Sequence, residues 1–130
     1  MKTLRVGIAT YEEMKARSLA VARGKHKPGP HEPKVWFRSA ESFAKVLSDR
    51  NRELLRIIAE RGPESLAELA ELTGRQKSNL SRTLKTMAGY GFVRLKRRGA
   101  RGALIPRVRY QTISLVLPLS KAAREQIEAA

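Results

Sequence analysis

The sequence contains no cysteine, which excludes disulfides, thiolate zinc sites and cysteine nucleophiles. No apolar run approaches the roughly 18–20 residues of a membrane span. The N-terminus lacks the charged-then-apolar pattern of a secretory signal, so a cytoplasmic chain with no membrane partner is expected. Internal repeats and long low-complexity tracts are absent too. At 130 residues the chain is one domain, or one domain with short arms. It can bury roughly two-thirds of its surface, too little for a catalytic domain plus a separate regulatory one. With 30% charged and 42% hydrophobic residues it reads as globular, not disordered.

The most telling absence is of acids. Between Glu71 and Glu125 there is none. Lys and Arg number 27 against 12 acids, a net charge of +15. The excess is uneven: residues 1–71 hold 14 basic and 10 acidic side chains, residues 72–130 hold 13 and 2. A balance of +4 in one part and +11 in the other describes a directed basic face, which points first to nucleic acid. An acidic protein or a membrane surface is the next choice.

Leu4, Val6 and Ile8 alternate with polar residues or glycine, the period of a half-buried strand. Thr10 and Glu13 form a capping box for a helix running to about Arg23, with Met14, Leu19 and Val21 apolar and Gly24 as its stop. Residues 25–33, with three prolines and a glycine, read as a linker or exposed loop. Val35 and Phe37 mark a short strand. Ser39 caps a helix carrying Phe43, Val46 and Leu47. Ser48 or Asp49 caps the next, with Leu54, Leu55, Ile57 and Ile58 inward and Gly62-Pro63 ending it.

Ser65 and Glu68 form a second capping box, before a short helix with Leu66, Leu69 and Leu72 that stops at Gly74. A helix over 76–88 follows, with Leu80, Leu84 and Met87 spaced four and three apart on one face. Its other faces carry Lys77, Ser78, Asn79, Ser81, Arg82 and Lys85. Strands beginning at Phe92 and Leu104 flank a hairpin tip over 97–102. Ile113, Leu115 and Leu117 form a last strand, ended by Pro118, and Ser120 caps a final helix that includes Ile127. The strands 4–8 and 113–117 are open edges unless they pair with each other or across a dimer.

Helix, glycine turn, helix and basic hairpin resemble a winged helix-turn-helix, and residues 65–93 resemble MarR-like and ArsR-like transcriptional regulators. The flanks, with the Val-Trp-Phe and Ser-Ala-Glu-Ser-Phe-Ala segments, resemble regulators that include antitoxins of Tum-type toxin–antitoxin modules. The implied fold class is α+β. It divides into an N-terminal strand-helix arm and Pro-rich loop (1–37), a winged helix-turn-helix core (38–110), and a C-terminal strand and helix for dimerisation (111–130). The resemblance makes 76–88 the recognition helix, whose N-terminal part enters the major groove. That part offers Arg75, Gln76, Lys77, Ser78, Asn79 and Arg82 to bases, with Ser81 and Lys85 nearer phosphates. Arg97, Arg98 and Arg101 on the wing suit phosphates or an A·T-rich minor groove.

These residues lead to one expectation: a homodimeric repressor on double-stranded DNA. Two others compete with it: an antitoxin that neutralises a ribonuclease-type toxin and autoregulates, and a nonspecific architectural or RNA-binding protein. Lys25, Lys27 and Lys34 read as linker charge before a second DNA arm. His26 and His31 lack the further ligands of a metal site. Trp36, Phe37, Tyr90 and Phe92 read as packing residues. The serines at 39, 48, 65 and 120 are helix caps with no base set for them, and no Gly-rich phosphate loop is present, so neither an enzyme nor a cofactor is expected.

Overall fold

The computed structural model describes residues 2–99 and 102–129. The fold is α+β and divides into two compact units, one formed by Lys2 with residues 44–111, the other by residues 3–43 and 112–129.

The first unit is a winged helix-turn-helix. Helices α3 (Asp49–Arg61), α4 (Leu66–Thr73) and α5 (Lys77–Gly89) are followed by the antiparallel pair β3 (Val93–Arg97) and β4 (Leu104–Val108). Ser48 caps α3 by accepting from the Asn51 N–H at 3.2 Å, and Gly62 closes the helix at φ 55°. The α4 cap is half a capping box. Ser65 Oγ accepts from the Glu68 N–H at 3.0 Å, but the Glu68 carboxylate takes the Glu64 N–H, also at 3.0 Å, in place of that of Ser65. Gly74 stands at φ 71°, a left-handed conformation that costs glycine little, and lets the chain break between α4 and α5. Leu54, Ile58, Leu69, Leu80, Leu84, Met87, Phe92 and Val93 are buried, each stabilising the unit by roughly 1.5–3 kcal/mol in transfer terms. Leu55, Ile57 and Leu72, expected inward, are only half-buried.

The second unit is a three-stranded parallel sheet in the order β2-β1-β5, built from β1 (Thr3–Ile8), β2 (Val35–Phe37) and β5 (Thr112–Val116). Helix α1 (Tyr11–Ala22) connects β1 to β2, and α6 (Lys121–Ala129) follows β5. Helix α2 (Ala40–Val46) opens on a reciprocal pair: the Ser42 N–H donates to Ser39 Oγ at 3.0 Å and the Ser39 N–H to Ser42 Oγ at 3.2 Å. Its Phe43 meets Phe37 edge-on at 5.4 Å, which draws residues up to 43 into this unit, past the boundary expected at 37.

Of the two pairings open to the strands 4–8 and 113–117, they take the one within the chain: Leu4 pairs with Ile113 and Val6 with Leu115, so β1 is the central strand and the two flanks form one sheet. None of α1 is buried, and Leu19 and Val21 are exposed. The loop 25–33 is irregular but not simply exposed. Glu32 and Pro33 are buried, and Glu32 is 3% accessible.

Candidate nucleic-acid interface

The first unit sets the basic residues on α5 and the hairpin. Turning 100° per residue, Leu80, Leu84 and Met87 face the core, and Ser78, Arg82 and Lys85 fall on the opposite side. Gln76, Lys77, Ser78, Asn79, Arg82 and Lys85 are exposed; Arg75 and Ser81 are half-buried. Gln76 is the N-cap of α5, but its side chain makes no capping bond. The first-turn N–H groups therefore keep no side-chain acceptor at the cap, and no acid stands in that turn. Open helix donors with a lysine beside them suit an anion.

Two residues read as base contacts are engaged with each other. Arg75 Nε and NH2 both donate to Asn79 Oδ1, at 3.1 and 2.8 Å. Its NH1 donates to Asn51 Oδ1 on α3 at 3.2 Å, and NH2 also reaches Thr83 Oγ1 at 3.3 Å. Asn51 in turn donates from Nδ2 to the Val46 carbonyl at 3.0 Å. The guanidinium thus ties the start of α5 to α3. Burial holds the Arg75 pKa below its usual value, and the charge of Arg50 lowers it to a lesser degree. Asn79 keeps its Nδ2 donors, while its oxygen is already filled. Arg82, Lys77 and Lys85 have no ion pair among the described residues.

On the hairpin, Arg97 and Arg98 are exposed, and Gly99 turns the chain at φ 72°. Arg101 lies outside the described residues. Arg98 is not without a balancing acid: its NH2 meets Glu64 Oε2 at 2.7 Å, and Arg107 NH2 meets Glu64 Oε1 at 2.9 Å. Arg107 further donates to the Pro63 carbonyl at 2.8 Å, so it anchors β4 to the α3–α4 loop. Sequence reasoning missed Glu64 because it lies 34 positions from Arg98. It also missed Asn51 and Arg50, which no local pattern marks. Tyr90 and Phe92, the latter buried, stack at 5.9 Å just before the hairpin's first strand in the chain.

A family model described as HVO_A0114 matches residues 46–115, more than half of the chain, and the chain belongs to that family. No curated protein matches it. Among solved structures, a predicted DNA-binding transcriptional regulator from E. coli is similar at a TM-score of 0.44 and 17% identity, over 88% of this chain and 93% of that one.

Proposed function

We propose that this HVO_A0114-family protein is a sequence-specific regulator of transcription that binds double-stranded DNA and has no catalytic role. The observation that carries the reading is the outer face of α5. Ser78, Arg82 and Lys85 stand opposite the buried Leu80, Leu84 and Met87, and the N-terminus of the helix has no side-chain cap. In this reading α5 enters the major groove, where Arg82 reads guanine and the Asn79 Nδ2 donors reach an acceptor on a base edge. Lys77, Ser81, Lys85, Arg97, Arg98 and Arg101 meet phosphates.

The protein acts as a homodimeric repressor in the cytoplasm, covering a two-fold operator with recognition helices about 34 Å apart. Two features support a dimer through residues 111–130. Strand β5 is bonded on one side only among the described residues, and exposed Leu117 and Leu119 follow it. Those exposed leucines, with Tyr11, equally favour a second reading, in which the flanking unit holds a toxin and the first unit autoregulates.

Fluorescence anisotropy on upstream DNA against a shuffled duplex tests the proposal. Specific binding should exceed nonspecific binding by about 10³ or more at physiological salt. Arg82→Ala should lose about 1–3 kcal/mol of that discrimination. Equal binding to both duplexes, fading together with salt, would leave only charge acting. Light scattering at micromolar concentration reads the dimer, and co-purification with a toxin reads the second role.

A further inference from the structure

Asn79 is the third residue of α5 and is exposed, so it stands in the part of a recognition helix that meets base edges. An unengaged asparagine there reads adenine: its amide oxygen accepts from the adenine amino group while its nitrogen donates to N7. That reading needs both ends of the amide, and here one end is taken. Arginine carries only donors, so the atom that Asn79 turns to the Arg75 guanidinium is its oxygen. Nε and NH2 approach that oxygen at 3.1 and 2.8 Å. An amide oxygen has two lone pairs to offer, and both are filled.

The guanidinium has anchors of its own. NH1 donates to Asn51 Oδ1 at 3.2 Å and NH2 reaches Thr83 Oγ1 at 3.3 Å, so Arg75 is held from α3 and from the next turn of α5. Asn51 is fixed in turn by the bond from its Nδ2 to the Val46 carbonyl, at 3.0 Å, which leaves its oxygen for Arg75. No acid pairs with Arg75 among the described residues; its partners there are neutral oxygens. Arg75 is half-buried, whereas Lys77, Arg82 and Lys85 are exposed, so the phosphates of a duplex have other cations to meet before this one.

We infer, resting on the DNA-binding reading of α5, that Arg75 sets the base preference at one position by holding the Asn79 oxygen, and so turns an adenine reader into a guanine reader. With its oxygen filled, Asn79 offers Nδ2 alone, a donor-only group of the kind lysine presents. Guanine shows such a group two acceptors side by side, O6 and N7. Thymine shows O4 beside its methyl group. Adenine shows N7, but its amino group sets a donor against a donor. Cytosine shows only its amino group in the major groove. Guanine is therefore preferred, and cytosine is the poorest partner. Arg75 itself touches no base; it acts through Asn79 as a positioning residue.

The test is selection of the full chain and its variants on a library of randomised duplexes, then anisotropy on four duplexes that differ at one base pair. Asn79→Ala locates the position, as the one whose preference it flattens. There the wild type should prefer guanine to adenine by about fivefold or more, the lower end of what one bidentate contact discriminates. Arg75→Ala frees the oxygen and should reverse the order, placing adenine above guanine by a similar factor. A merely structural role for Arg75 would weaken all four duplexes together and leave their order unchanged. If Arg75→Ala does not fold, Arg75→Met, which keeps an apolar stem, takes its place, and the wild-type order needs no variant at position 75. Adenine preferred by the wild type, no position altered by Asn79→Ala, or an order unmoved by the change at Arg75 would overturn the inference while DNA recognition by α5 stands. A wild type that enriches no site would remove both.

Discussion

Removing the Arg75 side chain should loosen the recognition helix. The guanidinium makes four hydrogen bonds, two to Asn79 Oδ1 and one each to Asn51 Oδ1 and Thr83 Oγ1. A charged donor to a neutral acceptor contributes about 1.5–3 kcal/mol when well buried. Here Arg75 is half-buried and two of the bonds exceed 3.1 Å, so water replaces much of the loss. Arg75→Ala should then cost about 1–3 kcal/mol. Native-state hydrogen exchange at the Leu80 and Leu84 amides reads this locally, as a roughly 5- to 150-fold faster exchange. Arg75→Lys should not rescue it, since an ammonium cannot fork to Asn79 while reaching Asn51. In a double-mutant cycle, Arg75→Ala and Asn79→Ala should couple by about 0.5 kcal/mol or more. Unchanged exchange in Arg75→Ala, or additive effects in the cycle, would refute a bracing role and return Arg75 to the free basic surface.

Gly7→Ala should disturb the second unit, because a Cβ there would stand 2.5 Å from Trp36 Cζ3 and 2.7 Å from Cε3; a lower Tm and a shifted Trp36 emission are expected, against an unchanged Leu84 exchange rate. The second unit should also be acid-sensitive. Burial pushes the Glu32 pKa up, but hydrogen bonds from Arg17 and His26 and their charges outweigh it and hold the carboxyl below its usual 4.5. The stability this contributes is present above that value and is lost as pH falls through the lower folded one, so Trp36-monitored stability should decline below about pH 4.5 and the decline should flatten in Glu32→Gln. Arg98→Ala should change stability by less than about 1 kcal/mol, as its pair with Glu64 is exposed, yet reduce the salt slope of DNA binding by about 1. A stability loss comparable to that of a core truncation would place Arg98 in the framework instead.

Much of the first unit is legible in sequence because its signals are local. Leu80, Leu84 and Met87 at helical spacing, Ser48 and Ser65 as caps, and Gly74 between two helices each act within a few residues. What could not be read are contacts closed by tertiary structure. Glu64 reaches Arg98 and Arg107 across 34 and 43 positions. Asn51 reaches Arg75 across 24. In the second unit one of the two pairing partners of β1, β5, lies about a hundred residues away, so alternation could announce a strand but not its neighbour. The loop 25–33 misled for a related reason. Proline and glycine report irregular backbone truthfully, but say nothing of whether a side chain such as Glu32 turns inward.

The pairing of β1 with β5, in which Leu4 stands opposite Ile113 and Val6 opposite Leu115, also imposes an order of events on synthesis. When the ribosome has made β1, α1 and β2, one side of β1 still lacks its neighbour, and it goes on lacking it while residues 44–111 emerge. Residues 44–111 form one continuous stretch, so the winged helix can form while the nascent chain still lengthens. The parallel sheet closes last, only when β5 is free of the exit tunnel. A slow or stalled translation of the last segment would therefore leave a folded winged helix beside an unfinished sheet whose central strand is exposed to pairing with other chains.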